Sequence, residues 1–113
     1  MASGADINVV TENGYTPLMM ASFCHRAKCV AEMLRLGADA RRVNVCGWTA
    51  LHWVASRGHD DRGGAEVVRL LVAAGCDAAV RDNNGRTAVE HARSCCGDEW
   101  GREVEGWVAA AMA

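Results

Sequence analysis

Two short motifs recur along this chain with the same spacing, and this internal repeat limits the possible folds more than any other feature. The segment GYTPLMMA, which begins at Gly14, recurs as GWTALHWVA from Gly47 and as GRTAVEHA from Gly85. These starts are 33 and then 38 residues apart. A second marker, Gly-Ala-Asp or Gly-Cys-Asp, begins at positions 4, 37 and 75 with the same two intervals. Two markers that share one period indicate copies of a single structural unit.

Each unit carries the signals of two short helices. Thr16, Thr49 and Thr87 are placed to cap the first helices, because a hydroxyl can accept an unpaired amide N–H at a helix start. Gly37 and Gly75 follow second helices, as left-handed caps do. The second helices carry apolar residues at steps of three and four, which places them on one face. These residues are Val30, Met33, Leu34, Val67, Leu70, Leu71, Val104, Trp107 and Val108. Helices this short are marginal alone, so the units must stack.

These motifs resemble the ankyrin repeat. The T-P-L-H-x-A motif of that family is matched by TPL at residues 16–18 and by TALH at residues 49–52. The Gly-His pair that the family carries between its helices is matched at residues 58–59. The resemblance implies an all-α fold, an ankyrin-repeat solenoid of stacked antiparallel helix pairs joined by short hairpin loops.

We expect one ankyrin-repeat domain over residues 1–113. Its parts are the tail of a preceding repeat (4–10), repeat 1 (11–43), repeat 2 with an inserted loop at 60–64 (44–81) and a C-terminal capping repeat with an extended loop near residues 96–100 (82–113). A tail without its helices predicts that the chain is part of a longer array.

Composition argues against several classes of protein. Twelve basic and fourteen acidic side chains give a net charge of −2, so charge does not predict binding to nucleic acid or to a membrane. No apolar run approaches the roughly 20 residues of a membrane span. The six cysteines are irregularly spaced and follow no secretory signal, which predicts free thiols in a reducing compartment, the cytoplasm or the nucleus. We expect a monomeric intracellular domain without a cofactor.

The sequence offers no convincing catalytic set, so we predict that the chain is not an enzyme. Cys24 and His25 are adjacent, but neighbouring residues of a helix do not face each other. We expect a partly buried thiol beside a solvent-facing imidazole. His52, His59 and His91 are predicted to brace loops through hydrogen bonds rather than to bind a ligand.

Recognition of a partner protein or peptide is the predicted function, with no small-molecule substrate. The resemblance implies binding through a concave face made of the hairpin tips and the exposed side of the first helices. By alignment, the residues of that face are Glu12, Asn13, Tyr15, Phe23, Val45, Cys46, Trp48, Arg57, Asn83, Asn84 and Arg86. Tyr15 and Trp48 have a second interpretation, packing on the neighbouring hairpin, and the sequence does not choose between the two.

Two alternative functions stay open. The first is a reader of methylated lysine, in which Trp48 and Trp53 form an aromatic cage. The second is a metal- or thiol-dependent site at the extended loop of repeat 3. Its side chains are Cys95, Cys96, Asp98 and Glu99. Trp53 and Trp107 are otherwise predicted to lie in the core, and the position of Trp100 is left open.

Overall fold

The computed structural model describes residues 11–56 and 63–112, and six helices account for most of these residues. The helices are α1 (Pro17–Phe23), α2 (Ala27–Arg35), α3 (Ala50–Ser56), α4 (Gly64–Ala73), α5 (Ala88–Cys96) and α6 (Asp98–Met112). The described part of the chain contains no strand, so the predicted all-α fold is confirmed. The predicted tail at 4–10, residues 60–62 of the inserted loop, Arg57 and His59 lie outside the described residues.

The helices form two rows, one for each helix of the repeating unit. In the first row α1 packs on α3 and α3 on α5, and in the second row α2 packs on α4 and α4 on α6. One hydrophobic cluster fills the space between the rows. Its larger members are Leu18, Val30, Leu51, Val54, Val67, Val68, Leu71, Trp100 and Val104. In the ranges 11–56 and 63–112, no helix is long and apolar enough to cross a bilayer.

Two of the three predicted threonine caps are present, at the starts of α1 and α5. The Thr16 hydroxyl accepts the N–H of Met19 at 3.2 Å. The Thr87 hydroxyl accepts the N–H of Glu90 at 3.3 Å, and the Glu90 carboxylate accepts the N–H of Thr87 in return. The predicted left-handed glycines after the second helices are also present, with φ of 99° at Gly37 and 100° at Gly75.

The predicted extended loop of repeat 3 is wrong. Helix α5 continues to Cys96 and α6 begins at Asp98, so Gly97 alone connects them. The additional residues lengthen helices instead, and α6 reaches 15 residues. The reason is Trp100, which is 1% exposed and buried within the stack. Its indole Nε1 donates to the carbonyl of Ala55 at 2.7 Å, so burial of this side chain holds the start of α6 against α3.

Replacement of Trp100 by phenylalanine tests this anchor. The change leaves the buried Ala55 carbonyl without its donor, which costs about 1–3 kcal/mol of unfolding free energy. Trp107→Phe is the matched control, because Trp107 is half-buried and its indole has no hydrogen bond within the described residues. Urea unfolding followed by circular dichroism should show a clearly larger loss for Trp100→Phe. Equal losses would contradict the role of this hydrogen bond.

Two glycines offer a second test, because alanine should act on them in opposite directions. Gly75 has φ of 100°, where a Cβ is strained whatever space surrounds it, so Gly75→Ala should lower the unfolding free energy by about 1 kcal/mol or more. Gly106 lies inside α6 with open space around its Cα, so Gly106→Ala should raise it by roughly 0.5–1 kcal/mol. Thermal unfolding of both variants measures the signs, and changes of the same sign would contradict the assigned helix end.

Candidate functional site

The three hairpin tips are built in the same way from residues in the same register. The side-chain oxygen of Thr11 accepts the N–H of Tyr15, four residues along the chain. In the second tip Asn44 Oδ1 accepts the N–H of Trp48 at 3.0 Å. In the third tip Asp82 Oδ1 accepts the N–H of Arg86 at 3.0 Å. Each turn is therefore closed by its own first side chain, a local device that fixes where the tip residues point.

Backbone hydrogen bonds join each tip to the next. The N–H of Val45 donates to the carbonyl of Asn13 at 3.0 Å, and the N–H of Asn83 donates to the carbonyl of Cys46 at 2.9 Å. The Asn83 side chain adds a third bond, from Nδ2 to the carbonyl of Val45 at 2.9 Å. The tips consequently form one continuous, hydrogen-bonded row.

Ring contacts connect this row of tips to the first helices. Trp53 of α3 packs edge-to-face on Trp48, with ring centroids 4.9 Å apart, and on Tyr15 at 5.1 Å. Phe23 of α1 also packs on Trp53, at 5.7 Å. His91 of α5 lies 4.5 Å from Trp48. We call this surface, formed by the tips at 11–15, 44–48 and 82–86 and by the aromatic side chains of the first helices, the front face.

The structure places ten of the eleven predicted residues on the described part of the chain. Those whose side chains are exposed are Glu12, Asn13, Val45, Cys46, Asn83, Asn84 and Arg86. Tyr15, Phe23 and Trp48 are half-buried, and Arg57 lies outside the described residues. Val45 is the most open of the apolar members, with 60% of its surface exposed.

Packing accounts for part of the burial of the two tip aromatics. Tyr15 packs on Trp53, as above, and Trp48 Nε1 donates to Asp82 Oδ2 at 3.0 Å across the boundary between two repeats. Both rings retain exposed area. Trp48 is thus a structural residue of the tip row, whatever else it contacts.

Trp53 and His91 are members of the front face that the sequence interpretation missed. Both continue the register of Met20, with the same intervals of 33 and 38 residues that define the repeat. That equivalence was the available signal. Trp53 Nε1 and His91 Nε2 are also the buried side-chain nitrogens that lack a hydrogen-bond partner in the described residues. The predicted bracing role of His91 is therefore not supported at Nε2.

His52, in contrast, braces two repeats. Its Nδ1 accepts the N–H of Thr49 at 3.1 Å, and its Nε2 lies 2.9 Å from the carbonyl of Arg86. Since Nδ1 acts as an acceptor, Nε2 carries the proton and donates to that carbonyl. Burial lowers the pKa of His52. Burial also lowers the pKa of His91, and the nearby His52 adds to this effect. Because both pKa values are lowered from the ordinary value, both imidazoles are neutral in the folded chain at neutral pH.

The geometry does not favour an aromatic cage at Trp48 and Trp53. Their rings meet at 75° with centroids 4.9 Å apart, so the edge of one ring occupies the face of the other. His91 packs against Trp48 as well, at 4.5 Å. A cage binds its cation over open ring faces. These contacts leave no gap between the two indoles for a methylated ammonium group.

The cysteines of repeat 3 do not form an activated site. Cys95 and Cys96 end α5 with their Sγ atoms 3.2 Å apart. Burial, and then the Cys95 thiol, raise the pKa of Cys96 to about 11, which disfavours the reactive thiolate. Asp98 and Glu99 begin α6 and are exposed. Within residues 11–56 and 63–112, no group of three or more histidine, cysteine or acidic side chains could hold a metal ion.

The expectation for Cys24 and His25 is wrong, because the two side chains are exchanged. Cys24 is exposed, whereas His25 is 3% exposed and its Nε2 lies 3.0 Å from the carbonyl of Val54. The cause is the backbone, since His25 has φ of 55° after α1 ends and this left-handed turn directs the ring inwards. The imidazole serves the packing of two repeats.

The repeat architecture of this chain is similar to that of known proteins. A family model described as "Ankyrin repeats (3 copies)" matches residues 1–62 and 29–100. The ankyrin repeat and SAM domain-containing protein 6 of Mus musculus is 34% identical over 74% of this chain. The zinc finger CCCH domain-containing protein 50 of Oryza sativa subsp. japonica is 43% identical over 63% of it. These alignments span 9% and 11% of those two proteins, so the similarity concerns a small part of each.

A solved structure extends the similarity over nearly the whole chain. The crystal structure of an ankyrin repeat domain from Acinetobacter baumannii AYE superimposes with a TM-score of 0.80 and 30% sequence identity. The superposition covers 97% of this chain and 54% of that one. Ankyrin repeats are in general non-enzymatic and mediate interactions between proteins.

The two neutral histidines predict how stability depends on pH. The pKa of each imidazole is lower in the folded state than in the unfolded state, so at pH values between the two the imidazole takes up a proton on unfolding. The stability from these groups is therefore fully present above the unfolded pKa of about 6.5, and it is lost as the pH falls below that value. Urea unfolding between about pH 8 and pH 5 should show this fall. His91→Gln removes one of the two groups and should reduce the slope, whereas a stability that rises on acidification would contradict the assignment.

Proposed function

Because the chain belongs to the ankyrin-repeat family, we propose that it recognises another protein through its front face, as one segment of a larger protein. The observation that carries the proposal is the aromatic surface on this face. Tyr15, Phe23, Trp48 and Trp53 contact one another across two repeats and keep part of their rings open. Aromatic side chains of this kind are enriched where protein interfaces gain most of their free energy.

Rigidity of the front face supports the proposal. Each tip is closed by an internal hydrogen bond and tied to the next tip by a backbone bond. The Trp48 indole is held by Asp82, so its orientation is set before any partner arrives. A surface that is already ordered loses little conformational entropy on association, and more of the contact energy is then available for affinity.

The exposed apolar tip of repeat 2 also supports the proposal. Val45 is 60% exposed beside the exposed Cys46 and the aromatic cluster, and an exposed apolar group next to other apolar surface gains free energy when a partner covers it. We propose that this tip lies near the centre of the interface, with the tips of repeats 1 and 3 as its borders.

The proposal also includes a non-enzymatic role, a reducing compartment and a monomeric domain. The raised pKa of Cys96 disfavours a reactive thiolate at the end of α5, which supports a binding role rather than catalysis. All six cysteines are free thiols, which supports a reducing compartment. We retain the cytoplasm or the nucleus, and a monomeric domain, as proposals on this basis.

A charged residue in the tip of repeat 2 tests the function. Peptides that bind the wild-type chain are selected from a random library displayed on phage, and the affinity of a selected peptide is measured by calorimetry. Val45→Asp should weaken binding by about tenfold or more, because a carboxylate would be buried against apolar surface. Leu36→Asp is the matched control, since Leu36 is 56% exposed at the end of α2, in the other row of helices.

Circular dichroism should show that both variants remain folded, because each side chain already faces solvent. Peptides that bind the wild type and Val45→Asp equally well would refute the front face as the interface. An equal loss in Val45→Asp and Leu36→Asp would do so too, because it would indicate a general effect of added negative charge.

A further inference from the structure

Arg86 differs from most of the exposed arginines in the described part of the chain. Most exposed arginines form ion pairs, of which Arg81 with Glu90 and Arg93 with Glu105 are both 2.9 Å long. The guanidinium of Arg86 is exposed and has no ion pair or hydrogen bond among the described residues. It is therefore a cation that the described part of the chain leaves without a counterion.

The position of Arg86 in the repeat places this cation in line with the aromatic residues of the other two tips. Arg86 occupies the same register as Tyr15 and Trp48, so it continues the line of tip aromatics into repeat 3. Along this line the front face changes from aromatic side chains in repeats 1 and 2 to a positive charge in repeat 3. A partner that covers the whole line must match both properties.

The backbone of Arg86 is fixed although its side chain has no partner. Its N–H donates to Asp82 Oδ1 at 3.0 Å, and its carbonyl accepts from His52 Nε2 at 2.9 Å. The second oxygen of Asp82 is engaged by Trp48 Nε1. Asp82 and Glu90 are the carboxylates nearest in sequence, each four residues from Arg86. Asp82 is committed to the turn and to the tryptophan, and Glu90 is committed to the ion pair and the helix cap described above. The guanidinium therefore projects from a backbone that is fixed on both sides.

From these observations we propose that the partner presents an acidic peptide segment, with an aspartate or glutamate at Arg86 and apolar side chains against Tyr15, Val45 and Trp48. This inference rests on the proposed function and specifies the chemistry of its partner. A guanidinium binds a carboxylate through two parallel N–H donors, which gives direction as well as affinity.

Charge along the front face orients the segment. Glu12 is exposed in the tip of repeat 1, at the opposite end of the row from Arg86. Like charges placed together at an interface are unfavourable, so the acidic residue of the partner is directed to repeat 3 and away from repeat 1. The apolar side chains of the segment then lie over the aromatic rings of repeats 1 and 2.

A carboxylate suits this site better than a phosphate. A phosphorylated side chain carries close to two negative charges at neutral pH and is typically held by a cluster of arginines. Arg86 is the one cation without a counterion in the described tips at 11–15, 44–48 and 82–86. A single guanidinium matches the single charge of an aspartate or glutamate.

The test uses peptides selected on the intact chain. The enriched peptides should share one acidic residue close to apolar residues. Arg86→Ala should lower their affinity by about tenfold, the effect of losing a charge-assisted contact. Arg102→Ala is the matched control, because Arg102 is exposed on α6 without an ion pair in the described residues, and its loss should change affinity less than twofold. Added salt should weaken binding to the wild type more than binding to Arg86→Ala.

A charge reversal completes the test. Arg86→Glu should bind the selected peptides more weakly than Arg86→Ala does, and a peptide with lysine in place of its acidic residue should recover affinity for Arg86→Glu only. Phosphoserine at the acidic position that binds more tightly than aspartate would overturn the carboxylate assignment in favour of a phosphate.

The same measurements distinguish a failure of the acidic partner from a failure of the front face as the interface. Peptides that lose affinity with Val45→Asp but carry no shared acid, and bind Arg86→Ala unchanged, would overturn the acidic partner while the front face remains the interface. Peptides that are indifferent to Val45→Asp as well would remove the proposed function itself.

Discussion

Burial between neighbouring helix pairs is the interaction on which this structure depends. The helices contain 7 to 15 residues, and most are too short to persist in water alone. Each gains stability from the row beside it and from the pair above or below, through one continuous apolar cluster. Stability of this kind is cooperative between neighbours, so a defect in one repeat weakens the next. Trp100 illustrates this dependence, because its ring packs within the stack while its nitrogen serves a carbonyl of the preceding repeat.

Local signals in the sequence are sufficient to predict the helices and turns of the repeating unit. The threonine caps at Thr16 and Thr87 and the left-handed Gly37 and Gly75 depend on a few adjacent residues, and the structure contains all four. The connection between α5 and α6 could not be derived in the same way. Additional residues can lengthen either a loop or a helix. Here they lengthen the helix, because Trp100 is buried and bonded to the distant Ala55.

In the candidate site, too, features set by adjacent residues could be predicted and features set by distant packing could not. Exposed tip residues such as Val45 and Arg86 were identified by alignment of one repeat with the next, because the turn that presents them is local. The orientation of His25 was predicted incorrectly, since a left-handed residue other than glycine leaves no clear mark in the sequence. The mutual packing of Trp48 and Trp53 depends on how adjacent repeats are spaced, which no single repeat specifies.

The hydrogen bonds of the tips divide their side chains into two groups with different freedom to vary. Asn44, Asp82 and Asn83 use their side chains to close turns or to join repeats. Val45 and Arg86 contribute to the same row only through their backbone. Substitutions at these two positions can therefore accumulate without disturbing the scaffold, so binding preference can diverge during evolution, or be randomised in a designed library, while the architecture is inherited unchanged.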